Sequence, residues 1–293
     1  MTLTNQANLF GGRTLIVGFE GWSDAGEAAS GAVRFMALQA NAEAGYSVDP
    51  DDYYDYQFSR PTVSLDEDGV RQLTWPGAEL YTPDSEVLVQ TGSERMFFLL
   101  GAEPSRNWKA FVGEISEWVL ELGIQAVIFL GSIPADTPHT RPIHVSTTSQ
   151  NENVRHLFGA ERSSYQGPVG IQTVLALDFE RLGIPTIAVW ASVPHYVQNG
   201  PSPKAMLALV TEVEKLAKVE FEHSDLATEA FAWERGIDEL AENDEEMAGY
   251  IQQLEENRDA NDKANITGDE LALEFEKFLA TQNDGDETEE GKA

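Results

Sequence analysis

Short apolar runs separated by longer amphipathic stretches recur along the first two thirds of the chain, and this alternation narrows the fold more than any other feature. Runs at 15–19, 96–100, 126–130 and 184–190 are each the length of one strand. Ala126-Val127-Ile128-Phe129-Leu130 is the clearest, since five consecutive apolar residues suit a strand covered on both faces. Between the runs, 24–39 and 105–122 repeat apolar residues at three- and four-residue spacing. Ala28, Ala29, Val33 and Leu38 mark the inward face of the first, and Trp108, Phe111, Val112, Ile115, Trp118 and Val119 that of the second. A further helix opens at Gly167-Pro168-Val169-Gly170 and runs through Leu182, and another runs from Pro203 through Leu216. Strands are also expected at 53–58, around Val63 and Leu73 with Gly69 in the turn between them, at 87–90 and at 145–148, several of them antiparallel because the connections are short. Together these elements predict an α/β fold, a three-layer sandwich built on a mixed sheet.

Charge divides the chain. The whole sequence carries 50 acidic and 19 basic residues, a net of −31, and 225–293 alone holds 22 of the acids and 5 of the bases. The expected organisation is therefore a core domain over 1–224, an acidic helical extension over 225–283 and a disordered acidic tail over 284–293. Within the extension, helices are expected at 227–241, 245–257 and 269–280, with Phe231, Ile237 and Leu240 among the apolar positions of the first. So acidic a surface repels nucleic acid and anionic membranes, which are bound through Lys and Arg. The chain has no Cys, which removes disulfides, thiolate nucleophiles and Cys-based zinc sites. No basic segment followed by an apolar run opens the sequence, so a cytoplasmic location is expected.

Chemistry-bearing residues concentrate in three loops that follow strands, where ligands gather in α/β sheets. In Gly18-Phe19-Glu20-Gly21-Trp22-Ser23-Asp24-Ala25-Gly26, backbone N–H groups at the helix start could hold an anion, with Glu20 or Asp24 as acid or base; alternatively Asp24 simply caps the helix. The second loop, Gly131-Ser132-Ile133-Pro134-Ala135-Asp136-Thr137-Pro138-His139-Thr140-Arg141-Pro142, lacks the Gly-x-Ser-x-Gly pattern of a nucleophile elbow. Asp136, His139 and His144 could meet a metal only weakly, and Arg141 suits a salt bridge. The third group joins the helix start at Gly170 to His195 and Tyr196, His195 being the best single titratable candidate. Arg60, among Asp51, Asp52 and Asp55, is expected in a local ion pair, and no cofactor or metal is expected.

Taken in order, the loop from Gly18 to Gly26, Asp55-Tyr56-Gln57-Phe58 through Arg60-Pro61, the loop from Leu130 to Pro142, and Trp190 through Val193-Pro194-His195-Tyr196-Val197 resemble the actinobacterial branch of the proteasome assembly chaperone 2 family. The resemblance spans roughly residues 12 to 217. It implies a domain like those of the purine nucleoside phosphorylase and peptidyl-tRNA hydrolase folds, self-association (as a trimer), and a role in assembling proteasome subunits without catalysis. The family supplies no catalytic residues to carry over.

Two functions from different classes follow. One is a non-enzymatic homo-oligomer that binds other protein subunits. The other is a hydrolase or phosphorylase-like enzyme acting on a nucleoside or phosphate-containing substrate, with Glu20, Asp24, Asp136, His139 and His195 around one cleft. In that second case Gly21, Trp22, Ser23, Gly131, Ser132, Arg141, Gly170 and Tyr196 would shape the anion or ligand loops.

Overall fold

The computed structural model describes residues 9–83, 92–197 and 200–261. Its core is a seven-stranded mixed sheet in the order β2-β5-β6-β1-β7-β9-β8. β1 (Thr14–Glu20) lies at the centre, parallel to both β6 (Met96–Ala102) and β7 (Ala126–Ala135), and β9 (Thr186–Pro194) runs parallel to β7. At the edges β5 (Ala78–Thr82) is antiparallel to β6, β2 (Glu43–Ser47) to β5, and β8 (Val145–Thr148) to β9.

Both faces of the sheet are covered, which is why its central strands read as unbroken apolar runs. On one face Ile16, Phe98, Ile128 and Val189 meet α1 (Ala28–Gln39) and α6 (Pro203–Ala217). On the other, Leu15, Leu99, Val127 and Phe129 meet α3 (Trp108–Glu121) and α5 (Ile171–Arg181). The layers are those the periodicity predicts, with local corrections. Leu38 is exposed rather than inward, because α1 has turned that position away from the sheet by its last turn. The strand expected at 53–58 is absent: its first residue ends a helical turn, α2 (Pro50–Tyr53), capped by Asp49, which accepts the Asp51 N–H at 3.0 Å, and 55–58 close a turn in which the Phe58 N–H donates to the Asp55 carbonyl. A short helix absent from the expected set, α4 (Glu152–Phe158), is capped by Asn151 and closed by Gly159 at a φ of 66°. The strand expected at 87–90, the helix at 269–280 and the tail at 284–293 lie outside the described residues.

Beyond the sheet stands a separate two-stranded hairpin, β3 (Thr62–Leu65) and β4 (Arg71–Thr74). Cross-strand register puts Val63 opposite Leu73 and Leu65 opposite Arg71 on one side, with Thr62, Thr74, Ser64 and Gln72 on the other. The hairpin is thus amphipathic, yet all eight paired residues are exposed.

After α6 the chain enters α7 (Ser224–Ala241) and then a helix over 245–261, here α8. α7 buries Leu226, Ala230 and Ile237, so Phe231 and Leu240 face solvent instead of sharing the inward face with Ile237. α8 buries Ile251 and Leu254. No helix among the described residues is long and apolar enough to cross a membrane.

Candidate functional site

The carboxyl ends of the parallel strands β6, β1, β7 and β9 gather the loops singled out above, and each loop is fixed by the protein's own groups. Asp24 accepts from the Ala29 and Ser30 N–H groups at 2.9 and 3.0 Å and from the Ser30 hydroxyl at 2.6 Å, occupying the start of α1. The start of α5 is occupied in the same way: the Ile171 N–H donates to Glu103 at 2.7 Å, and a Cβ added at Gly170 would lie 2.9 Å from that carboxylate. The two helix starts expected to receive an anion therefore already hold one each, supplied by the chain.

Burial raises the pKa of Asp24 above its ordinary 3.8, outweighing the hydrogen bonds from Ser30 and Ala29 that lower it. An acid with a raised folded pKa contributes stability that is fully present below about 3.8 and lost as pH rises through its folded value. D24N removes that titration, so its stability is expected to vary less with pH across this acidic window than that of the wild type. Urea midpoints measured at successive pH values check this; parallel curves would remove Asp24 from the account.

The remaining candidates fall into separate places. Glu20 pairs with Arg34 at 3.0 Å in the open. Ser132 is fully buried and donates to the Ala25 carbonyl at 2.9 Å, while its N–H donates to the Ser23 carbonyl at 2.8 Å, stitching the loop after β1 to β7. Gly131 lies directly against the Trp190 ring. Arg60 makes no ion pair among the described residues, because the nearby acids are engaged elsewhere: Asp51 accepts from Tyr56, and Asp55 turns back on the Gln57 N–H. No group of three or more His, Cys, Asp or Glu side chains among the described residues could hold a metal.

A second cluster forms where α7 and α8 cover the ends of β7 and β9. The His139 side chain is 1 % exposed; its Nδ1 lies 2.9 Å from the Tyr196 hydroxyl and its Nε2 3.1 Å from Asp238 on α7. Because the His139 backbone N–H also donates to the Tyr196 oxygen at 2.7 Å, the hydroxyl proton points to Nδ1 and the Nε2–H donates to Asp238. Burial pushes the Tyr196 phenol up to about 12, so it is a proton donor in this relay. Arg141 donates to both oxygens of Asp259, at 2.8 and 3.0 Å, and to Glu255 at 3.2 Å. Lys204 bridges the His139 carbonyl and Glu234, and Thr140 donates to Glu255. His195, 3.2 Å from Asp136, packs edge-on to Tyr196 and Tyr250. Beside them a cleft of about 360 Å³ opens between Asp136, His144 and Ser192 on the core and Tyr250, Asn257 and Arg258 on α8. Of the five residues expected to share one cleft, only Asp136 lines it; His195 stands beside Asp136, Glu20 ends β1, Asp24 lies in the loop after it, and His139 is sealed under α7.

Sequence reasoning missed Glu103, Asp238, Glu255 and Asp259. Glu103 directly follows β6 and could have been flagged as a strand-end acid; the other three look like any solvated helix charge.

The sequence model of the PAC2 family matches residues 18–241, from the last residues of β1 through α7. The chain belongs to the PAC2 family. Among solved structures, a PAC2 family protein from Streptomyces avermitilis is 38% identical, with a TM-score of 0.72 over 81% of this chain and 99% of that one. A Mycobacterium tuberculosis proteasome-assembly chaperone homologue is also 38% identical, with a TM-score of 0.71 and the same coverage. An archaeal proteasome activator from Pyrococcus furiosus, 16% identical over 78% of this chain and 92% of its own, shares the PAC2 fold at a TM-score of 0.59. Comparison with curated proteins finds no match.

Proposed function

We propose that this PAC2 protein is a self-associating, chaperone-like protein that binds subunits of another complex, proteasome-related by kinship, and that it performs no catalysis in that role. The observation that carries the reading is the hairpin β3–β4. An isolated two-stranded ribbon is marginal in water, and this one turns Val63, Leu65 and Leu73 to solvent on a single side, flanked by Arg60 and Arg71, which make no ion pair among the described residues. In a chain of net −31, two exposed-hairpin arginines beside an apolar stripe fit an acidic surface, and a second copy supplies one at equal concentration. The kinship to a proteasome-assembly chaperone homologue points to the class of subunit handled. Against an enzyme of phosphate-containing substrates stands the filling of both helix starts by Asp24 and Glu103.

Sedimentation velocity tests self-association. The wild type is expected to sediment as a multiple of one chain, and Leu65→Asp with Leu73→Asp to sediment as one chain with an unchanged circular dichroism spectrum, because both residues lie outside the sheet core. A monomeric wild type across micromolar concentrations rejects the proposal.

A further inference from the structure

The carboxyl end of the sheet is covered on two sides. Over β7, β9 and β8 it lies beneath α8, and at β6 the 53–55 segment crosses it, the Tyr54 hydroxyl donating to the Ala102 carbonyl at 2.9 Å; between them, at the end of β1, the most prominent residue is Trp22, 77 % exposed. The backbone holds that indole out from a rigid base. Gly21 takes a φ of 112°, the Asp24 N–H returns to the Gly21 carbonyl, the Ser23 carbonyl receives the Ser132 N–H, and Asp24 is bound into α1. Among the described residues the indole has no hydrogen-bond or ring partner. Three further exposed side chains are drawn to the same surface. Glu103 contacts both the Gly21 and the Gly170 positions, which brings Val169 alongside; Tyr165 folds back to donate to the Pro168 carbonyl at 3.0 Å; and Ile133 follows Ser132, which is stitched to Ser23. Carboxylates flank this apolar surface: Glu27, Glu20 paired to Arg34, and Glu103 at the start of α5, whereas Asp136 turns to His195 in the cleft under α8.

We infer that this open strand-end surface, centred on Trp22, is where the client subunit docks, and that the client presents an apolar pocket rimmed by Lys and Arg. The inference rests on the subunit-binding reading above and adds the face and the chemistry. Because the loop's hydrogen bonds fix the backbone at Trp22, burial has only the two side-chain torsions of the indole to order, a small cost for an aromatic anchor. Its acidic surround steers and selects a basic rim, and that contribution weakens with salt.

Titration of the full chain into purified cognate proteasome α-subunits, followed by calorimetry at low and high salt, tests it. W22A is expected to weaken binding about thirtyfold and E27K to weaken it mainly at low salt, with sedimentation mass unchanged. F231A, an exposed aromatic on α7 remote from this surface, is expected to bind as the wild type does. W22A binding at wild-type strength overturns the docking face while leaving the subunit-binding reading intact. A W22A chain that loses its oligomeric mass assigns the surface to a second copy and overturns the inference. A wild type that binds no α-subunit rejects the reading and the inference with it.

Discussion

Gly101→Ala is expected to destabilise the fold by about 3 kcal/mol, at the upper end of overpacking penalties, and to lower the melting midpoint by roughly 6–12 °C. A Cβ at this position on β6 would overlap the Gly77 carbonyl oxygen and stand 2.5 Å from the Ala78 Cα. These are backbone atoms where β5 pairs with β6, Ala78 being registered opposite Gly101, so no rotamer change relieves the overlap. The ladder must open or the strands must part. Gly113→Ala is the matched control and has the opposite sign. It lies mid-helix on α3 with nothing within 4 Å of an added Cβ, so alanine is expected to stabilise by about 0.5–1 kcal/mol. Thermal unfolding of the two variants at one protein concentration checks both. A Gly101→Ala protein with wild-type stability would mean that β5 is free to move away from β6.

Arg141→Glu is expected to release α8 from the strand ends. The guanidinium joins the loop after β7 to Asp259 and Glu255, and the two carboxylates hold its proton more tightly than usual, with the Asp259 hydrogen bond the largest influence. Reversal places three carboxylates together. Because the Arg141 side chain is 31 % exposed, solvent screens part of the loss, and the effect is expected to stay local to α8. Amide exchange over 245–261 should then accelerate roughly thirtyfold, while amides of β1 and β7 keep their wild-type protection. High salt should push the wild type the same way by a smaller factor. If exchange in α8 does not change, the helix is held by Ile251 and Leu254, and the ion pairs are incidental.

The layered fold was legible because its causes are local. Five consecutive apolar residues at Ala126–Leu130 need cover on both faces, and α3 carries Phe111, Ile115 and Val119 at the spacing that one covering helix requires. The segment at 53–58 contains aromatic residues with strand preference, but the Asp49-Pro50 helix start carries Tyr53 into α2 and Asp55, accepting from the Gln57 and Phe58 N–H groups, folds the rest into a turn. α4 likewise announced itself only through Asn151 and Gly159, seven residues of helix being too short for a periodic pattern. The candidate loops were visible, whereas their partners were not. Arg141 meets Asp259, and His139 meets Asp238, across about a hundred residues of sequence, and no spacing rule distinguishes these acids from their solvated neighbours.

Asp24 and Glu103 change what the two helix starts can do. Each is a tethered competitor, already delivered at an effective concentration on the order of millimolar or more for its own N–H groups. A free phosphate or carboxylate arriving from solution competes against that standing occupancy as well as against water. The protein thus reaches the end state of anion binding by folding alone. What its strand ends have left to offer an outside molecule is shape, aromatic surface and negative charge.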